Sequence, residues 1–213
     1  MSPECAIGIT LKDTTLTTAD QPLAPDGPRW SLGWYAGARH CASPNFGARP
    51  AGAVLDLVLL HSISLPPGVY EGDAVERLFT NTLDWDAHPY FQSIRGLKVS
   101  AHFFIRRDGA LWQFVSCETR AWHAGASSFQ GRDNCNDFSV GVELEGLEGQ
   151  TFEPAQYACL RTLLIALAEQ YPARHLAGHS DVAPGRKCDP GPGFEWHRLV
   201  DVASKLKLAL PDC

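Results

Sequence analysis

The sequence has no CxxC pair, no dense block of lysine and arginine, a single methionine and no apolar run near the roughly 18–20 residues of a membrane span. Without a basic stripe, and with a formal charge of −6, nucleic acid is not expected as the main partner. Without a long apolar run, no membrane anchor is expected. The N-terminus MSPECAIGITLKDTT lacks a basic start followed by an apolar stretch, so no secretory signal is expected either. Seven cysteines, at positions 5, 41, 117, 135, 159, 188 and 213, make an odd count that suits free thiols better than a secreted disulfide framework. This points to the cytoplasm. No internal repeat is present, and a monomer is expected. What is present is ordinary for a globular chain: 213 residues, 45% hydrophobic and 20% charged, enough for one domain with a core of its own.

Residues 1–30 read as a loosely ordered N-terminal extension, because TTLTTADQPLAPDGP is polar and carries no helical or strand period. Residues 31–213 read as the domain. Its opening stretch, RWSLGWYAGARHCASPNFGARP, is aromatic but broken by Gly and Pro, as in a short strand followed by a long loop. AVLDLVLLH (53–61) has the continuous apolar pattern of a strand buried on both faces. Apolar residues at 75, 78, 79 and 83 have helical spacing. Asp108-Gly109 between SAHFFIRR and ALWQFVS signals a hairpin. Residues 119–137 read as a long polar loop, and SVGVELEG as another strand. A helix is predicted from about Glu153, with Pro154 in its first turn and Pro172 as its stop. HLAG (175–178) is a short strand, and a last helix begins near Trp196. Strands alternating with helices predict an α/β fold, a mixed central β-sheet flanked by α-helices in a single domain.

The reactive residues sit at strand ends and in one stiff loop. His61 closes the most apolar strand, and His179 follows the short strand 175–178. Lys187 and Asp189 lie in GHSDVAPGRKCDPGP. His61, His179 and Asp189 would form a three-ligand zinc site, with the fourth position open as in catalytic zinc. On position alone, a histidine such as His61 after an apolar strand is more often a hydrogen-bonded boundary residue, and Arg186-Lys187 more often a solvated pair. Cys188 is itself a competent zinc donor, but it and Asp189 cannot both point at one ion from an extended loop. Glu143 and Glu145 alternate with apolar neighbours, and period two puts both on one face, so the pattern does not choose between them as proton carrier. His102, inside SAHFFI, suits the core or support of a ligand. Trp122 and His123 either line a cleft that receives a sugar or peptide or simply pack their loop, and position does not decide between the two.

LLHSISLPPG (59–68), VSAHFFIRRDG (99–109), RAWHAGASSFQGRDNCNDFSVGVELEG (120–146) and GHSDVAPGRKCDPGP (178–192) together resemble N-acetylmuramoyl-L-alanine amidases of the AmpD type, which act on 1,6-anhydro-muropeptides. The resemblance runs from about Gly33 to the final helix. It implies a mixed sheet flanked by helices, a fold shared with phage-lysozyme-type amidases and peptidoglycan recognition proteins. It implies zinc on His61, His179 and Asp189, catalysis by Glu143 with Lys187, and cleavage of the amide between the lactyl group of N-acetylmuramic acid and L-alanine in cytoplasmic cell-wall recycling. Ser62 stands where close relatives have Asn, Lys98 where an arginine can occur, and Asn134 where a basic residue can occur. All three are expected contacts for the sugar or the stem-peptide carboxylates, and Lys98 lacks the bidentate fork of arginine. The alternative is a muropeptide-binding module that kept the fold and lost the chemistry. Such a module could dispense with Asp189, Lys187 or Glu143, and this chain has all three.

Overall fold

The computed structural model describes residues 29–211, so residues 1–28 of the expected N-terminal extension lie outside it. Six strands form the central sheet: Arg39–His40 (β1), Leu57–Ile63 (β2), Phe103–Ile105 (β3), Leu111–Gln113 (β4), Ser139–Glu145 (β5) and His175–Gly178 (β6). Their order is β6-β2-β5-β3-β4-β1. The first four in that order are mutually parallel, β4 runs antiparallel to β3, and β1 pairs parallel with β4. The sheet is therefore mixed, as expected.

Alternation along the strands sorts side chains between two faces. Val58 and Leu60 of β2, Phe103 and Ile105 of β3, and Val140, Val142 and Leu144 of β5 share one cluster with a long helix, Pro154–Gln170. That helix offers Leu160, Leu163, Leu164 and Leu167, and Pro154 stands in its first turn. The last helix starts as a 3-10 turn at Trp196–Leu199 and continues as Val200–Leu206 over the same face. On the opposite face, Leu57 and Leu59 pack with Ala124, Cys135, Phe138, Ala177 and Val182. Further along that face, Phe104 and Phe114 pack with Val75, Leu78 and Phe79. Functional polar residues lie on this second face because His61 and Glu143 follow the parity of Leu57, Leu59 and Ser139.

Several sequence expectations are refined. The helix placed by the 75–83 spacing spans Ala74–Phe79, because Asn81 turns left-handed at φ 60° and ends it. Leu83 is buried beyond the helix. A short helix, Pro89–Ser93, occupies what reads as loop, and the His88 side chain caps it by accepting the Tyr90 N–H. Residues 29–50 hold four two-residue strands instead of one short strand. The polar stretch 119–137 contains three more and a 3-10 turn, Cys135–Asp137. The cysteines at 41, 117, 135, 159 and 188 are all free. No helix among the described residues is long and apolar enough to cross a membrane.

Candidate active site

Register builds the site. His61 on β2 is the direct partner of Glu143 on β5. On the other side of β2, Gly178 pairs with Leu60, so His179 stands one residue further, level with His61. Three neighbouring parallel strands thus deliver His179, His61 and Glu143 at one height, at their C-terminal ends, where sheets of this kind place their ligands. His179 opens a one-turn helix, His179–Val182. The loop that follows returns Asp189 to the same point, where its backbone carbonyl accepts the Ser180 N–H at 2.9 Å. That return needs Gly178, since a Cβ there would lie 2.8 Å from Cδ of Pro190.

The resulting triangle is tight. His61 Nδ1 and His179 Nδ1 are 2.9 Å apart, and each is 3.1 Å from Asp189 Oδ2. All three residues are buried. His179 Nε2 is 2.9 Å from the Ala124 carbonyl, which only accepts, so Nε2 carries the hydrogen. Burial, reinforced by the His179 and Lys187 charges, lowers His61 from 6.5 to about 4, although the adjoining Asp189 carboxylate opposes this. Its imidazole is therefore neutral at pH 7. Burial pushes the Asp189 carboxyl up, but the two imidazoles more than reverse that and hold it below the ordinary carboxylate range. Two nitrogen donors and an ionised oxygen meeting at about 3 Å are arranged as the ligands of a cation would be. Tetrahedral zinc with ligand distances near 2.0–2.1 Å would have edges of about 3.3 Å, a few tenths longer than those seen. Among the described residues this is the group with metal-ligand geometry. The residues present fit zinc.

Around the triangle lies a cleft of about 290 Å³. Glu143 enters it with Oε2 buried and without a hydrogen-bond partner among the described residues. Burial raises its carboxyl well above the ordinary range, the Asp189 charge adds to this, and Lys187 opposes it. A buried carboxyl with a raised proton affinity in a cleft is a candidate for proton transfer. Glu145 lies on the same face but is engaged elsewhere, with Oε2 accepting the Arg107 N–H at 3.0 Å. Lys187 borders the cleft, as do Ser62, Trp122 and His123. The Ser62 Oγ, like Glu143 Oε2, is buried and unpartnered among the described residues. Lys98 is exposed between Leu97 and Val99, which do line the cleft, and Asn134 is exposed at the left-handed start of the Cys135–Asp137 turn. The structure does not bring Lys98 and Asn134 to the cleft wall, because each sits at the outer side of its loop. Cys188 is exposed while Asp189 turns inward, as their adjacency requires.

His102 lies in the core beneath the site. Its Nδ1 accepts the Gly141 N–H at 2.9 Å, and Nε2–H donates to the Thr119 carbonyl at 3.0 Å. Sequence reading missed Arg49. Its guanidinium donates to the carbonyls of Cys117, Asn136, Asp137 and Ser139, each at 3.0 Å. It gathers the polar stretch 117–139 against β5 from a position some 70–90 residues earlier, and no local motif marks it. Asn136 was missed as well. Its Oδ1 accepts the backbone N–H groups of both His123 and Ala124, at 3.1 and 2.8 Å.

Comparison with known proteins agrees with this geometry. Residues 51–192 match the family described as N-acetylmuramoyl-L-alanine amidase. The chain is 49% identical over 175 residues to the 1,6-anhydro-N-acetylmuramyl-L-alanine amidase AmpD of Escherichia coli strain K12, covering 81% of this chain and 96% of that protein. A crystal structure of a selenomethionine AmpD derivative superposes with a TM-score of 0.77 at 47% identity, over 81% of this chain and 97% of the other. The E. coli amidase AmiD, solved with anhydro-N-acetylmuramic acid-L-Ala-D-γ-Glu-L-Lys as its substrate, matches with a TM-score of 0.53 at 26% identity, over 78% of this chain and 63% of that one. The chain belongs to the N-acetylmuramoyl-L-alanine amidase family.

Proposed function

We propose that this chain is a zinc-dependent 1,6-anhydro-N-acetylmuramyl-L-alanine amidase of muropeptide recycling. The observation that carries the reading is the common height of His61, Glu143 and His179 on adjacent parallel strands, with Asp189 folded back onto them. His61 and His179 through Nδ1, and Asp189 through Oδ2, would hold the ion. Two neutral imidazoles and one carboxylate leave a net positive centre when it binds. Zinc supplies Lewis acidity and brings the pKa of water down to about 7.

The chain's own groups do the rest. Glu143 borders the cleft beside His61, with a carboxyl oxygen that has no hydrogen-bond partner among the described residues, and would take the proton of the attacking water. It then passes that proton to the departing alanine nitrogen. A dication nearby lowers the raised affinity of Glu143 for its proton, so the residue exchanges it readily during the cycle. Lys187, at the cleft edge, would stabilise the amide oxygen as it becomes negative. The apolar wall of Leu65, Ile94 and Val99 suits the body of a sugar. The 49% identity to a named anhydro-amidase supports the substrate class. Mass spectrometry of products from anhydro- and ordinary muropeptides, with and without a chelator, tests the reading. Release of free stem peptide from the anhydro substrate, abolished by chelator and restored by zinc, is the expected result. Undiminished release by metal-stripped protein would refute it.

A further inference from the structure

We infer that His123 is a positioning residue of the metal centre, and that it holds His61 in the tautomer whose Nδ1 is bare. This rests on the zinc reading above. The chain of bonds begins at Cys135, whose backbone carbonyl accepts the Ser139 hydroxyl hydrogen at 2.6 Å. A serine has one such hydrogen, so toward His123 Nε2, 3.4 Å away, Ser139 Oγ only accepts. In the tautomer that makes this bond His123 Nε2 carries the hydrogen, and a neutral imidazole has just one. His123 Nδ1 is left as a lone pair, facing His61 Nε2 at 2.9 Å. In that arrangement His61 donates from Nε2 and leaves Nδ1, the corner of the triangle, free for the ion.

The adjacent residue does the same for the second imidazole, since the Ala124 carbonyl accepts from His179 Nε2. Two consecutive residues of the RAWHAG stretch thus orient both histidines, one through a side chain and one through a peptide oxygen. Asn136 holds their backbone N–H groups, and the Arg186 guanidinium donates to the carbonyls of Ala124 and Ala126 at 2.7 and 2.5 Å. The His123 ring lies flush on β5 at Gly141, where a Cβ would fall 2.5 Å from its Cγ. A residue that merely walled the cleft would need neither an acceptor toward His61 nor a seat cut into a buried strand. Metal-bound histidines commonly donate their second N–H to an acceptor that fixes ring and tautomer. Here that acceptor is another histidine.

The test measures zinc affinity, by competition with a chromophoric chelator, in His123→Ala, His123→Phe and His123→Asn. Asparagine puts Oδ1 where Nδ1 stands and keeps the acceptor, whereas phenylalanine keeps the ring's bulk and loses it. The Ala and Phe variants should bind zinc about 10–100-fold more weakly, and the Asn variant should recover most of that loss. Independently, nitrogen NMR of the histidine-labelled, zinc-loaded wild type should show His123 protonated at Nε2 with Nδ1 bare, a measurement that stands even if a variant does not fold. His123 protonated at Nδ1, or a Phe variant that binds zinc as tightly as wild type, overturns the inference alone. A wild type that binds no zinc overturns the proposed function and the inference with it.

Discussion

Replacing Gly141 by alanine should disturb the ligand triangle from inside a strand that carries no ligand. The added methyl would stand 2.5 Å from Cγ of His123 and 2.6 Å from its Cδ2 and Nδ1. Carbon atoms rest at about 3.5 Å, so the ring would have to retreat by about 1 Å. It is held at both nitrogens and by its own backbone N–H on Asn136. A retreat of that size stretches the 2.9 Å contact with His61 beyond hydrogen-bonding range. Overpacking of this kind costs about 1–3 kcal/mol. Alanine in a strand interior recovers about 0.5–1 kcal/mol relative to glycine. The net loss is on the order of 1 kcal/mol, a melting temperature lower by about 2–4 °C for a chain of this size. Thermal denaturation of the metal-free protein reads it directly. The decisive comparison is a double-mutant cycle with His123→Ala. With the imidazole gone, the alanine methyl has room and should stabilise, giving a coupling of about 1–3 kcal/mol. An equal cost of Gly141→Ala in both backgrounds would show that the ring is not seated on that glycine, and would refute the reasoning.

His61→Ala should lose zinc and turnover together, since one of three protein ligands is removed; a variant retaining stoichiometric zinc and normal rates would exclude His61 from the site. Glu143→Gln should keep zinc, measured by atomic absorption, while turnover falls by about 10²–10⁴-fold, the range for a lost general base. Near-native rates would move the role away from Glu143. His102 should make the fold acid-sensitive. Burial first, and the Arg49 charge second, lower its imidazole from 6.5 to about 3, against an opposing hydrogen bond to the Thr119 carbonyl. The folded value is the lower one, so the unfolded chain takes up the proton first as pH falls. The stability it contributes is complete above about 6.5 and drains away toward about 3, at about 1.4 kcal/mol per pH unit. Between pH 7 and pH 5, urea melts of the metal-free wild type should therefore lose about 2 kcal/mol more than those of His102→Asn, whose Oδ1 can still accept the Gly141 N–H. Equal losses would show that His102 is not the group that titrates.

Elements whose cause is local were legible in the sequence. The apolar run before His61 reads as a strand covered on both faces because both faces are covered, by the long helix on one side and by Ala124, Phe138 and Val182 on the other. Asp108-Gly109 turns the chain between β3 and β4 with Gly109 at φ 87°, a conformation that suits glycine. Pro154 and Pro172 bracket the long helix for the reasons proline usually does. The helix from Ala74 ended early because Asn81 entered the left-handed region, an option open to asparagine but not signalled by apolar spacing. Two-residue strands escaped notice for a plainer reason, since two residues cannot display a period.

The site divides the same way. His61, His179 and Asp189 could be named from the sequence because each ends or follows a recognisable element. Glu143 and Glu145 could not be separated by alternation, because alternation is the property they share. Their lateral neighbours separate them: Glu145 meets the backbone of Arg107, while Glu143 meets His61 across one strand spacing and an open cleft. Least legible were the groups that hold the polar stretch 117–139. Arg49 satisfies four of its carbonyls, and Asn136 two of its N–H groups. Those bonds substitute for the ladder that a strand would have supplied. A segment with little regular structure can therefore position His123 and Ala124 as firmly as a sheet does, because its backbone groups are paired with side chains that no local pattern announces. The placement of the two imidazoles is then inherited from residues outside the proposed ligand set.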